Sequence, residues 1–188
     1  MKKVFICLLI SIMAYTVQAQ RFNSYENNWK ISAGLNAVGS LGTRNPVERL
    51  DEFGFRFPLA FAVERQWSKE LALEQDITFN GFKSGQIFDN VASDKKIAYF
   101  STNTTLKWYF TDYLFDAEWL DLYVGGGVGL FYMDDFNTSA NLSAGAQYWF
   151  NQNFGVKLQS TGKFAANPKN HRYANNHFQY VLAAVFRL

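Results

Sequence analysis

The stretch Leu71-Ala72-Leu73-Glu74-Gln75-Asp76-Ile77-Thr78-Phe79-Asn80 decides how this chain is read. Leu71, Leu73, Gln75, Ile77 and Phe79 alternate with Ala72, Glu74, Asp76, Thr78 and Asn80. Successive side chains of a β-strand point to opposite faces, so the pattern describes a strand with one apolar side. Its other side holds two carboxylates. That side must meet either solvent or a polar interior, because an isolated buried charge is very costly.

The same alternation recurs on both sides of this stretch. Trp29, Ile31, Ala33, Leu35 and Ala37 form one apolar row, and Phe55, Phe57, Leu59, Phe61 and Val63 a second. Further rows begin at Phe100, Leu122, Ala140, Phe154 and Phe178. These make eight predicted strands, long enough to cross a membrane when tilted. A soluble sandwich shares the alternation, with its apolar faces turned to a common core. A transmembrane barrel turns them to lipid and keeps the polar faces inside.

Composition narrows the choice. The chain has 188 residues, 48% of them hydrophobic, with 19 Phe, 10 Tyr, 5 Trp and one Cys. Its mean hydropathy is nevertheless −0.16. Disorder, a disulfide scaffold and a helical membrane protein are all disfavoured. Met1-Lys2-Lys3, an apolar run over residues 4–15 and Val17-Gln18-Ala19 have the form of a secretory signal peptide cleaved after Ala19. The run is too short for a transmembrane anchor. Cys7 leaves with it, and loss of Lys2 and Lys3 leaves 16 basic and 16 acidic residues. A neutral mature chain gives no support to a nucleic-acid partner. The expected domains are residues 1–19, the signal peptide, and 20–188, the barrel.

Three features favour the barrel over the sandwich. Short connections around Ser68-Lys69-Glu70 and Asn151-Gln152-Asn153 alternate with longer ones over 40–54, 83–95 and 167–176, as in outer-membrane barrels. The loop at Asp134 is short for an outer loop and 111–118 long for an inner turn. All five Trp fall near one rim, where amphipathic rings collect at a membrane interface. Parity sends Trp29, Trp67 and Trp108 outward, and Trp119 and Trp149 inward. The last strand ends on Tyr180, Phe186 and Leu188, which looks like the C-terminal signal read by the outer-membrane assembly machinery, with Leu188 where an aromatic is usual.

From Asn28 onward the chain resembles the membrane-barrel domain of OmpA-type outer-membrane proteins, in the form found in Bacteroidetes-type bacteria. Residues 29–38 (Trp-Lys-Ile-Ser-Ala-Gly-Leu-Asn-Ala-Val) and 55–67 carry the likeness. The resemblance implies an all-β fold: an eight-stranded antiparallel up-and-down transmembrane β-barrel after a cleaved signal peptide. The periplasmic peptidoglycan-binding domain of larger members is not expected. The implied location is the cell outer membrane. The implied role is structural or interactive, in envelope integrity, adhesion or a larger assembly.

Parity places Lys30, Arg56, Glu64, Glu74, Asp76, Lys107, Asp121, Lys157, Lys163 and Arg187 inside the barrel. An eight-stranded barrel is narrow enough for side chains to fill it, and such charges must pair. A salt-bridged plug is the expected arrangement, and a narrow pore the alternative. Gly125, Gly127 and Gly129 fit neither a Rossmann nor a Walker spacing and are read as room for long side chains opposite. A lipid A-modifying enzyme would need His171 or His177 beside Ser84, Ser93, Asp89 or Asp94, and no acyl-transfer motif surrounds them. No catalytic residue, cofactor or metal is expected. The expected partners are outer-membrane lipid, including lipopolysaccharide phosphates near the outer rim, and the assembly machinery.

Overall fold

A computed structural model describes residues 28–40, 52–88, 91–166 and 173–188. The leader expected over 1–19, most of the first loop and His171 lie outside these residues. The strands are β1 (Trp29–Ser40), β2 (Leu59–Gln66), β3 (Leu71–Phe82), β4 (Ile87–Phe88), β5 (Val91–Ala92), β6 (Ile97–Tyr109), β7 (Leu120–Met133), β8 (Asp135–Trp149), β9 (Phe154–Ala165) and β10 (His177–Arg187). One short helix, α1 (Thr111–Leu114), sits between β6 and β7.

Eight of these strands close into a barrel in the order β1-β2-β3-β6-β7-β8-β9-β10, while β4 and β5 form a separate ribbon. Every neighbouring pair is antiparallel, and the first and last strands seal the barrel from Lys30↔Arg187 to Ser40↔His177. Closure removes the exposed sheet edges that invite aggregation.

The connections follow local chemistry. At the end holding Trp29 and Leu188, the Ser68 hydroxyl accepts from the amides of Glu70 and Leu71. The Asn151 side chain accepts from Asn153 and Phe154 in the same way. Such side-chain turns let strands reverse in a few residues. At the opposite end the other strand pairs have longer connections, but β7 and β8 meet through Asp134 alone, at φ 67°. Asp tolerates this left-handed conformation better than most residues.

Strand β2 begins four residues later than the alternation from Phe55 predicts. Pro58 has no N–H to give a ladder, and the pairing of β2 with both neighbours starts at Leu59. Two amide side chains stitch the irregular approach instead. Asn36 Nδ2 donates to the carbonyls of Leu59 (2.8 Å) and Phe79 (2.9 Å). Asn80 Nδ2 donates to Asn36 Oδ1 (2.7 Å) and the Gly54 carbonyl (2.8 Å). Asn80 Oδ1 accepts the backbone amides of Gly81 (2.7 Å) and Arg56 (3.1 Å).

The distribution of side chains is inverted relative to a water-soluble fold. Phe61, Leu142, Val128, Leu158 and Leu182 are all exposed, while Lys30, Lys107, Lys157 and Lys163 are each at most 3% exposed. A sandwich core would bury the first set and hydrate the second. The apolar rows instead clothe the outside of the closed sheet.

Candidate functional site

The interior is a column of polar side chains, each delivered by the inward parity of its strand. Lys30 on β1 pairs with Glu64 on β2 at 2.9 Å. Glu64 also holds Lys107 on β6 at 2.9 Å. Lys107 reaches on to Glu74 on β3 at 2.6 Å, and the same Glu74 oxygen takes Lys157 on β9 at 2.6 Å. Five charges thus form one alternating chain across the barrel. Tyr109 braces its lower end, donating to Glu64 (2.7 Å) and accepting from Gln147 (3.0 Å).

Above this chain the contacts become amide-based. Asn103 Nδ2 donates to Asp76 at 2.6 Å, and its oxygen accepts from Lys163 (2.8 Å) and Asn141 (2.9 Å). Gly129 lies against this junction, and a Cβ there would run into Asn103 Oδ1. Higher still, Gln179 donates to Thr78 at 2.9 Å and accepts from Ser101 at 3.2 Å. His177 is fully buried, with Nδ1 donating to the Asn175 carbonyl (2.8 Å) and Nε2 accepting from the Tyr99 hydroxyl (2.9 Å). Phe131 meets its ring edge-on at 4.7 Å.

An apolar cap closes the long-loop end. Val38, Phe82, Ile97, Phe131 and Met133 point inward there and are nearly or wholly buried. Tyr173 and Ala174, from the β9–β10 connection, pack onto them. The connections also tie to one another, since Tyr173 donates to Asp94 (3.3 Å) and Lys95 pairs with Asp134 (2.6 Å). The Asp134 carboxylate raises the Lys95 pKa above its ordinary value by accepting a hydrogen bond from the ammonium. A cavity inside the barrel beside Glu74, Asp76 and Gln179 measures about 10 Å³. That is scarcely room for one water.

Of the ten residues that parity places inside, Lys30, Glu64, Glu74, Asp76, Lys107, Lys157 and Lys163 are buried there. The structure differs at the two rims. Asp121 and Arg187 are only partly buried at the short-turn end, where both flank the buried Trp149. Trp149 Nε1 donates to Asp121 at 2.7 Å, and the Arg187 guanidinium lies 4.2 Å from the Trp149 ring. Arg56 is exposed at the long-loop end, because strand parity does not extend past Pro58. Trp119 corrects the parity reading too. It precedes the first residue of β7, faces outward and packs on Tyr148 at 5.5 Å. Exposed Trp29, Trp67, Trp108 and Trp119 therefore share that rim.

Tyr180 is half-buried against Phe53 and Phe178, and Phe186 and Leu188 are exposed on the outer face. The inward apolar cap was not singled out in the sequence. Its signal is a run of large apolar residues on the polar parity near one strand end: Val38, Phe82, Phe131 and Met133. Ser84 and Ser93 give their hydroxyls to the backbone carbonyls of Asp94 and Lys95, and neither bonds His177.

No protein-family model matches this chain, and no curated protein matches it in sequence. Solved structures match its fold. The outer membrane protein OprG from Pseudomonas aeruginosa superposes with a TM-score of 0.57 at 11% identity, covering 90% of this chain and 99% of that one. The N-terminal β-barrel domain of Pseudomonas aeruginosa OprF gives 0.56 at 14% identity, covering 87% and 98%. The outer membrane protein AlkL, determined in DMPC bilayers, gives 0.53 at 14% identity, covering 93% and 95%. The fold is that of the small, OmpA-like eight-stranded outer-membrane β-barrels.

Proposed function

We propose that this protein is a non-catalytic barrel of the outer membrane whose role is structural or interactive. The observation that carries this reading is the filled interior. The chain from Lys30 to Lys157 and the cap from Val38 to Met133 occupy the described part of the interior, and the cavity beside Glu74, Asp76 and Gln179 measures only about 10 Å³. With transport disfavoured, what remains for interaction is the outer surface and the connections above it.

The orientation follows outer-membrane practice. The end with short turns and the Trp rim faces the periplasm, and the longer connections face outward. The signal peptide delivers the chain across the inner membrane, and the strand ending in Tyr180, Phe186 and Leu188 is what the assembly machinery engages. Envelope integrity, adhesion and membership of a larger assembly are all roles such a surface serves. The engagement of both His177 nitrogens inside the barrel supports the non-catalytic reading.

The test combines fractionation with conductance. The protein is expected in the outer-membrane fraction, with a gel mobility that changes on boiling, and planar bilayers containing it stay electrically silent. Recovery as a soluble periplasmic monomer would overturn the membrane reading, and discrete conductance steps would overturn the closed interior.

A further inference from the structure

The displacement of Arg56 from the interior creates a feature on the outside. Arg56 lies along a groove of about 570 Å³ at the long-loop end, lined by Phe53, Phe55, Lys83, Ser84 and Ile87 among others. The position of Arg56 is built into the fold. Its amide is held by Asn80 Oδ1 (3.1 Å) and the Gly81 carbonyl (3.2 Å), and its guanidinium lies 5.0 Å from the Phe57 ring. A Cβ on Gly81 would crowd the Ile97 carbonyl, 2.9 Å away, and would stand 3.5 Å from Arg56 Cβ. The backbone therefore comes close there, and the arginine stem lies across it.

We infer that this groove binds a membrane lipid through an anionic phosphate on its headgroup, with Arg56 and Lys83 as the phosphate-binding residues. The inference rests on the outer-membrane reading proposed above. Two cations line the groove, and among the described residues no carboxylate stands within ion-pair distance of either. The Asp94 backbone carbonyl accepts from Ser84, and the Asp94 side chain is engaged by Tyr173. Arginine suits phosphate because its planar fork donates two parallel hydrogen bonds.

A lipid is preferred over free phosphate because the groove opens onto apolar surface. Phe55, Phe57 and Ile87 are exposed beside it, and Leu59, Phe61 and Val63 continue the same row down the barrel wall. A cation at the head of an exposed apolar row matches an amphiphile whose charged phosphate sits above its acyl chains.

The experiment places the full-length chain in phosphatidylcholine nanodiscs and titrates diphosphoryl lipid A, following the amide resonances of Arg56, Lys83 and Ser84. Saturable shifts are expected. The double variant Arg56→Gln/Lys83→Gln should weaken binding about tenfold or more, as loss of charge-assisted bonds to phosphate implies. Removing the lipid phosphates should weaken it comparably, while Lys69→Gln, at the opposite end, should leave it unchanged. Equal binding by the double variant, equal binding of the dephosphorylated lipid, or displacement by inorganic phosphate overturns the inference. Both variants lie on exposed side chains, and unchanged heat-modifiable mobility checks that they fold. A chain that does not enter the nanodisc refutes the membrane reading and the inference with it; one that enters but ignores the phosphate refutes the inference alone.

Discussion

Glu74→Gln should strand a buried charge inside the barrel. One carboxylate oxygen of Glu74 receives both Lys107 and Lys157, each at 2.6 Å. Lys107 keeps Glu64 at 2.9 Å after the change. Lys157 does not fare as well, since Glu74 is its one ion partner among the described residues. Breaking a buried pair while leaving one charge behind costs about 3–5 kcal/mol, because the stranded ion keeps its desolvation penalty without its partner. At a typical urea slope of about 2 kcal/mol/M, the midpoint should fall by about 1.5–2.5 M. The assay is urea unfolding of the vesicle-inserted chain, followed by tryptophan fluorescence and by gel mobility without boiling. The double variant Glu74→Gln/Lys157→Met removes the stranded ammonium as well, and should recover about 2 kcal/mol of the loss. A loss below about 1 kcal/mol for Glu74→Gln, or a double variant whose loss equals the sum of the singles, would refute the claim that these groups form one coupled chain.

Three further outcomes follow from specific placements. Leu142→Lys puts an ammonium on the outer wall midway along β8, opposite Gly126 and Gly162, and should cost about 2–4 kcal/mol in bilayers, read from the same urea curves. Gly129→Val should drive a side chain into the Asn103 junction that serves Lys163 and Asn141, costing about 2–4 kcal/mol and lowering the fraction that refolds on a mobility gel. Asn80→Ala removes the stitch between β1, β3 and the approach to β2. It should cost about 3 kcal/mol and open residues 52–58 to limited proteolysis, while cleavage in the β8–β9 turn stays as in the parent.

The alternation was sufficient for the wall of the barrel. Period-2 parity is local, so the side that each of Glu74, Lys107 or Lys157 faces can be read without knowing any partner strand. The same local rule fails where the ladder ends. Past Pro58 it misplaces Arg56, and before Leu120 it misplaces Trp119, because parity has meaning only while the backbone stays extended and paired. The amide stitch at Asn36 and Asn80 was illegible for another reason: its partners are carbonyls on neighbouring strands, and carbonyls carry no sequence.

By itself, then, the sequence determined an amphipathic strand repeated eight times, a polar set for one face, and an apolar set for the other. Tertiary structure decided which acid meets which lysine. Glu64 and Lys107 are 43 positions apart, and Glu74 and Lys157 are 83 apart. Their meeting depends on the register of several strands at once, and a shift of one residue in any of them would turn its polar row toward the lipid. Closure also made the interior narrow enough for those side chains to touch, and so turned a row of charges into a plug.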